Sequence, residues 1–146
     1  FDPEEFKKDV ELGFIPADIG DFRENSLTFV KAKARRLGLS RNIRFEKGNF
    51  NDTLSLQLNR IDSLCFAHID CDLYSSTKTV LTFIESLLVD GTVIIFDDWY
   101  NFKGNPNLGE QRAFAEWSED MTDWAFVQYQ KEGPWRNSFI ASFQGN

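Results

Sequence analysis

The chain has 146 residues, a hydrophobic fraction of 42% and a formal net charge of −7 at pH 7. This length and composition predict one globular domain with its own core rather than a disordered chain. The acidic balance argues against nucleic-acid binding, and no run of about 18 apolar residues is present to span a membrane. The two cysteines, Cys65 and Cys71, are too few for a disulfide scaffold, so we expect a reducing, cytoplasmic compartment.

The N-terminal half of the chain predicts two helices and one short strand. Ser26 is a candidate helix N-cap and Gly38 a candidate residue just beyond the helix end, because apolar residues between them recur at helical spacing. Alternating apolar residues predict a short strand at about 42–47. A short helix is expected next, with Asp52 or Thr53 as its cap.

The C-terminal half of the chain alternates strands with helices. Its apolar, strand-like runs lie at about 64–70, 92–97, 124–130 and 137–143. Ser75 or Ser76 is expected to cap the helix between the first two, and GEQRAFAEWSED predicts a further helix. The first two runs are continuously apolar, as in parallel strands that are covered on both faces, and the last two are close enough only for an antiparallel hairpin. An α/β fold is therefore predicted.

Two aspartates stand at the end of each of the two predicted parallel strands. Asp70 and Asp72 end the first strand, and Asp97 and Asp98 end the second. Ligands of open parallel sheets bind beyond the carboxyl ends of the strands, so neighbouring strands would bring four carboxylates together. Such like charges repel, and a hard divalent cation such as Mg²⁺ offsets the repulsion. The alternative is that these aspartates only cap a helix or begin a polar loop.

Four segments, GNFNDTL, HIDCDLYSST, GTVIIFDDW and GEQRAFAEW, together resemble the macrocin O-methyltransferase-like family over about residues 23–143. The resemblance implies a class I methyltransferase (Rossmann-like) fold, whose parallel sheet ends in an antiparallel hairpin. It also implies S-adenosylmethionine and Mg²⁺ as cofactors. The implied reaction is methylation of a hydroxyl of a sugar or another small natural product. Catechol O-methyltransferase is a more distant relative with the same metal-site layout.

The resemblance implies roles for individual residues. Asp70, Asp97 and Asp98 are the expected metal ligands, and Asp70 is also the expected acceptor of the hydroxyl proton. Asp72 is expected to assist at most. The expected cofactor-binding residues are Gly48, Phe50, Asn51, Asp70 and Cys71. A turn glycine with no contact to the cofactor is an equal alternative for Gly48.

Three aromatic residues lie close to these aspartates in sequence. His68, the only histidine, is expected to be a buried core residue rather than a catalytic base. Trp99 and Tyr100 are candidate walls for a sugar acceptor, together with the loop at 101–107, and the alternative for both is packing.

Part of the class I cofactor site has no counterpart in the sequence. None of the nine glycines forms a GxGxxG motif, and no apolar strand precedes residue 26. We therefore expect a single domain over residues 1–146 that matches the C-terminal two thirds of a methyltransferase domain. It is either truncated or a reduced protein that completes its sheet as a homo-oligomer. The strand at 42–47 should not pair with that at 64–70, because the family places its first two strands between them.

Other functions stay open at this point. DCDLYSST has the D-x-D-x-x-x-[ST] spacing of a haloacid-dehalogenase-type phosphohydrolase, but Leu73 and Tyr74 stand where that motif has Gly-Thr. A D-x-D glycosyltransferase is a weaker alternative, and a non-catalytic or truncated methyltransferase-like domain is the third. The partner expected from the main interpretation is a small-molecule acceptor with a sugar hydroxyl, not nucleic acid or a membrane.

Overall fold

The computed structural model describes residues 26–131 and 133–145, together with Glu4, Lys7, Lys8, Glu11 and Leu12. The helices in this part of the chain are α1 (Leu27–Arg36), α2 (Phe50–Thr53), a 3₁₀ helix (Ser55–Arg60), α3 (Tyr74–Glu85) and α4 (Gly109–Asp120). The strands are β1 (Leu64–Ile69), β2 (Leu88–Phe96), β3 (Trp124–Gln128) and β4 (Asn137–Phe143). Among the described helices, none has the length and apolar character required to span a lipid bilayer.

The four strands form one mixed sheet in the order β1-β2-β4-β3. β1 and β2 are parallel, with Ile69 opposite Phe96, so both strands end at the same edge of the sheet. β4 pairs antiparallel with β2 and with β3. The predicted parallel neighbours and the predicted hairpin are therefore both confirmed. Two boundaries differ from the prediction: β3 ends at Gln128 rather than at about residue 130, and β2 begins at Leu88 rather than at about residue 92.

The strand predicted at about 42–47 is wrong, because the structure assigns no strand to these residues. They take no part in the sheet, so the predicted place of this strand relative to β1 is not tested. A strand exists only where a neighbour completes its backbone hydrogen bonds, and alternation of apolar residues alone does not supply one. The alternating residues also gain little burial here, since Ile43 remains exposed.

The predicted start and end of α1 are confirmed. The Ser26 hydroxyl accepts a hydrogen bond from the N–H of Phe29 at 3.2 Å, as an N-cap does. Gly38 follows the end of the helix and has a positive φ. The predicted caps of α3 are wrong. That helix is preceded by Leu73, so Ser75 and Ser76 lie inside its first turn.

The cap of α2 also differs from the prediction. Asn49 precedes this helix and its Oδ1 accepts the N–H of Asn51 at 3.0 Å, whereas Asp52 and Thr53 lie within the helix. An asparagine has the same capping ability as an aspartate, and the position of the turn decides which side chain is used.

Helices α3 and α4 pack on one face of the sheet. The core contains Ile69, Leu81, Ile84, Ile94, Phe96, Ala113, Phe114, Trp117, Phe139 and Ala141. On the opposite face, Phe66, Val93, Ile140 and Val127 lie in one row across the four strands. Phe66 is 52% exposed in that row, so the expectation that β1 is covered on both faces does not hold there.

Candidate metal centre

Three carboxyl groups meet beyond the ends of β1 and β2. Asp70, Asp72 and Asp98 each offer one oxygen atom, and these atoms lie within 4.8 Å of one another. The parallel register brings the groups together, because the residue after Ile69 and the residues after Phe96 leave the sheet at the same edge. Two of the three predicted metal ligands, Asp70 and Asp98, thus lie in one group.

Asp72 joins this group through a local turn. Its φ is +59°, in the left-handed region that aspartate tolerates better than most residues. The N–H of Leu73 donates to the carbonyl of Cys71 at 2.6 Å, which closes the turn around Asp72. Buried Leu73 then leads directly into α3. The sequence analysis expected Asp72 to assist at most. No sequence pattern indicated the turn that brings its carboxylate into the group.

Asp97 lies outside the three-carboxylate group. Its Oδ1 atom is 2.9 Å from Nε2 of His68 and accepts a hydrogen bond from Nε of Arg136 at 2.5 Å. Burial alone raises the pKa of Asp97, but the hydrogen bonds from Arg136 and His68 outweigh it and hold the pKa below its usual value. The structure therefore shows Asp97 in an ion-paired network, and its role as a metal ligand stays a prediction.

The prediction that His68 is a buried core residue is wrong. Its side chain is 45% exposed. The reason is its position in the sheet: His68 lies on the same face of β1 as the exposed Phe66, opposite the face that α3 and α4 cover. The ring is therefore open to solvent while it contacts Asp97.

The crowding of carboxyl groups makes the site favour a cation. Burial, followed by the hydrogen bond and charge of Asp72, raises the pKa of Asp98 to about 8. Burial, followed by the charges of Asp97 and Asp72, also raises the pKa of Asp70. At neutral pH the group therefore retains a proton unless positive charge is supplied. Three hard oxygen donors with this excess of negative charge fit Mg²⁺.

A fourth carboxyl group, Glu110 of α4, lies behind the site and was missed by sequence reasoning. It is 1% exposed, and its Oε2 atom accepts the N–H of Asp98 at 3.0 Å. Its Oε1 atom is buried and has no hydrogen-bond partner within the described part of the chain. Burial first, and then the charge of Asp98, raises the pKa of Glu110 well above its usual value. An acidic residue in the first turn of a helix is common, so the position of Glu110 in the sequence does not indicate a role at the site.

The residues predicted to bind the cofactor fall in two places. Asp70 and Cys71 follow β1, and burial raises the pKa of the Cys71 thiol to about 12. The others are at the start of α2, where Oδ1 of Asn51 accepts the hydroxyl of Thr79 in α3 at 3.1 Å. Phe50 is 39% exposed, and a Cβ on Gly48 would overlap Thr53. Packing thus already accounts for Gly48, and the cofactor roles remain predictions.

The two candidate acceptor walls differ in their surroundings. The Trp99 ring packs within about 5 Å of three core phenylalanines, Phe96, Phe114 and Phe139. Tyr100 instead contacts the β3–β4 connection: its N–H donates to the carbonyl of Trp135 at 3.0 Å, and Nζ of Lys131 lies 4.4 Å from its ring centre. Packing thus accounts for Trp99, whereas Tyr100 stays a candidate.

Comparison with known proteins places these observations in a family. A sequence model of the macrocin O-methyltransferase (TylF) family matches residues 7–131. No curated protein sequence matches the chain significantly. Several solved structures share the fold, among them the O-methyltransferase NovP, which is 24% identical with a TM-score of 0.65 over 80% of this chain and 45% of NovP.

Two further structures agree with this fold. CalS11, a TDP-rhamnose 3′-O-methyltransferase of calicheamicin biosynthesis, is 25% identical with a TM-score of 0.52, over 65% of this chain and 39% of CalS11. An O-methyltransferase from Bacillus cereus in complex with SAH is 17% identical with a TM-score of 0.57, over 82% of this chain and 60% of its own. The chain thus spans between 39% and 60% of these relatives' lengths.

The family match includes the D-x-D segment, so the haloacid-dehalogenase-type and glycosyltransferase interpretations of that segment find no support. The four-stranded mixed sheet and its two packed helices match part of the fold of these class I methyltransferase structures. With more than half of its residues matched by the family's sequence model, the chain belongs to the macrocin O-methyltransferase family.

Proposed function

We propose that this chain carries the metal-binding part of an S-adenosylmethionine- and Mg²⁺-dependent O-methyltransferase that acts on a hydroxyl of a sugar or similar small natural product. The observation that carries the proposal is the meeting of Asp70, Asp72 and Asp98 beyond two neighbouring parallel strands. Family membership supplies the class of reaction. We further propose that residues 1–146 correspond to the C-terminal two thirds of a methyltransferase domain.

The choice of methyl donor is supported by the neighbour from Bacillus cereus, which was solved with SAH, the product that remains when S-adenosylmethionine gives up its methyl group. In this chain, exposed Phe50 and the polar Asn51 would contact one edge of the cofactor. Asp70 and Cys71 follow β1, at the sheet edge where ligands of this type of fold bind.

The reaction requires one bond to form as another breaks. The acceptor oxygen bonds to the methyl carbon while the carbon–sulfur bond breaks, and the hydroxyl proton must leave. Bound Mg²⁺ supplies positive charge that lowers the pKa of a nearby hydroxyl group. Asp70 is the proposed acceptor of that proton, because its carboxylate lies in the three-carboxylate group beyond β1 and β2.

The acceptor should carry a second oxygen next to the reacting hydroxyl. Two neighbouring oxygens can bind one cation together, and the sugar substrate in the name of CalS11 is consistent with such an acceptor. Tyr100, next to the hairpin connection, is the candidate contact for the face of a sugar ring. Equal turnover of a matched acceptor without the second oxygen would argue against this mode of binding.

Isothermal titration calorimetry with MgCl₂ tests the metal site directly. The unmodified chain is expected to bind Mg²⁺, and D70N and D98N are each expected to weaken binding by at least about tenfold, since each removes a charged donor. The matched control is D120N, which makes the same change at the exposed end of α4. Binding that is unchanged in D70N and D98N would contradict the proposal.

A further inference from the structure

The first turn of α4 binds backbone groups of two successive residues, Asp98 and Trp99, in the segment that follows β2. Oε2 of Glu110 accepts the N–H of Asp98 at 3.0 Å, and Nε2 of Gln111 donates to the carbonyl of Trp99 at 2.6 Å. Consecutive side chains of one helix thus bind consecutive residues of one loop. We refer to Glu110 and Gln111 as the α4 clamp.

Packing alone gives a poor account of Glu110. Burial of a carboxyl group is unfavourable, and one oxygen of this side chain has no partner in the described part of the chain. An apolar side chain of similar volume would fill the same space without that penalty. The contact that only Glu110 or a close analogue can make is the hydrogen bond to the backbone of Asp98.

Asp98 is held from a third direction as well. Nδ2 of Asn101 donates to Oδ1 of Asp98 at 2.6 Å, and one carboxylate oxygen of Asp98 lies in the group with Asp70 and Asp72. The N–H of Asp98, its Oδ1 atom and the carbonyl of Trp99 are thus all hydrogen-bonded. Asp98 therefore has little freedom to rotate away from Asp70 and Asp72.

We propose that the α4 clamp sets the orientation of Asp98 and thereby the Mg²⁺ affinity of the site. This inference rests on the proposed function. Glu110 and Gln111 are positioning residues, since their contacts are with the loop that carries Asp98. Groups that orient metal ligands in this way change metal affinity by about 10–100-fold when they are removed.

The test compares E110Q, E110L and Q111L with the unmodified chain in two assays. Hydrogen exchange of the Asp98 amide, followed by NMR without metal, reports the clamp itself, and calorimetry reports Mg²⁺ affinity. E119Q is the matched control, because it makes the same change as E110Q at an exposed residue of the same helix.

E110Q retains an acceptor for the Asp98 N–H, so its Mg²⁺ dissociation constant should stay within about threefold of the unmodified chain. E110L should weaken binding by about tenfold or more and speed exchange of the Asp98 amide by a similar factor. Q111L, at a partly exposed position, should fold and weaken binding by about threefold or more. If E110L does not fold, Q111L and E110Q decide the question.

The clamp is overturned if E110L and Q111L lower the melting temperature yet leave both exchange and Mg²⁺ affinity of the folded chain unchanged. It is equally overturned if E110Q is as damaging as E110L. An unmodified chain that binds no Mg²⁺ contradicts the proposed function instead. The clamp then stands or falls on whether the Asp98 amide is protected in E110Q and exposed in E110L.

Discussion

Asp98 has the most consequential charge in the site. Its pKa of about 8 lies far above the usual value of 3.8, so in the absence of a cation the folded chain binds a proton there more tightly than the unfolded chain does. That stabilising contribution is complete below about 3.8 and is lost as the pH rises through about 8. The raised pKa values of Asp70 and Glu110 act in the same direction.

Substitution of Asp98 should therefore stabilise the metal-free chain at high pH. D98N removes the charge that repels Asp72 and Asp70, so its melting temperature should exceed that of the unmodified chain at pH 9. The expected gain is about 2–4 °C for each kcal/mol of repulsion removed. Circular-dichroism melts in EDTA at pH 5 and pH 9 give the comparison. An equal difference between the two chains at both pH values would contradict this explanation.

The contacts of their carboxylates distinguish Asp72 from Asp97 as the third metal ligand. Asp72 has its carboxylate in the group, whereas that of Asp97 is bound to Arg136 and His68. D72N should weaken Mg²⁺ binding by about tenfold or more, and D97N by less than about threefold. Both are Asp-to-Asn changes just beyond the ends of two neighbouring strands, so each is the control for the other. The reverse order in calorimetry would restore Asp97 as the ligand.

At the level of secondary structure, the start of α4 depends on one glycine. Gly109 has a φ of +55°, and a Cβ at this position would overlap the buried ring of Phe102. An alanine therefore meets both backbone strain and a steric conflict at the turn that carries the α4 clamp.

G109A is expected to destabilise the chain by about 2–4 kcal/mol, of which about 1–2 kcal/mol is backbone strain. G133A is the matched control: its φ is also positive, at +64°, but no atom lies within 4 Å of the added Cβ. G133A should therefore lose only the stability that corresponds to backbone strain, about 1–2 kcal/mol. Urea denaturation measures both, and equal losses would mean that contact with Phe102 has no effect.

For the whole molecule, metal and cofactor binding should separate. The three carboxylates come from segments that the chain contains, whereas no GxGxxG loop occurs among its nine glycines. We expect the 146-residue chain to bind Mg²⁺ but to bind S-adenosylhomocysteine with a dissociation constant of about 1 mM or weaker. Calorimetry with each ligand in turn is the measurement. Micromolar binding of S-adenosylhomocysteine would show that the glycine loop is dispensable here.

The sequence by itself determined the parts of the protein that depend on local pattern. Apolar runs that end in aspartates identified β1 and β2, short spacing identified the hairpin, and helical periodicity identified α4. Because parallel strands of one sheet end at a common edge, the meeting of Asp70 and Asp98 also followed from the pattern. These predictions succeeded because each element is specified by residues that are close in the chain.

Only the tertiary structure decided which side chains share a contact. His68 and Arg136, which bind Asp97, lie 29 and 39 residues from it, and the hydrogen bond from Asp98 to Glu110 spans 12 residues. Residues 42–47 would likewise form a strand only if a strand distant in sequence paired with them, and a local pattern cannot indicate whether such a partner exists. Strand pairs and ion pairs form between segments that folding brings together, so their partners depend on packing rather than on the residues adjacent in sequence.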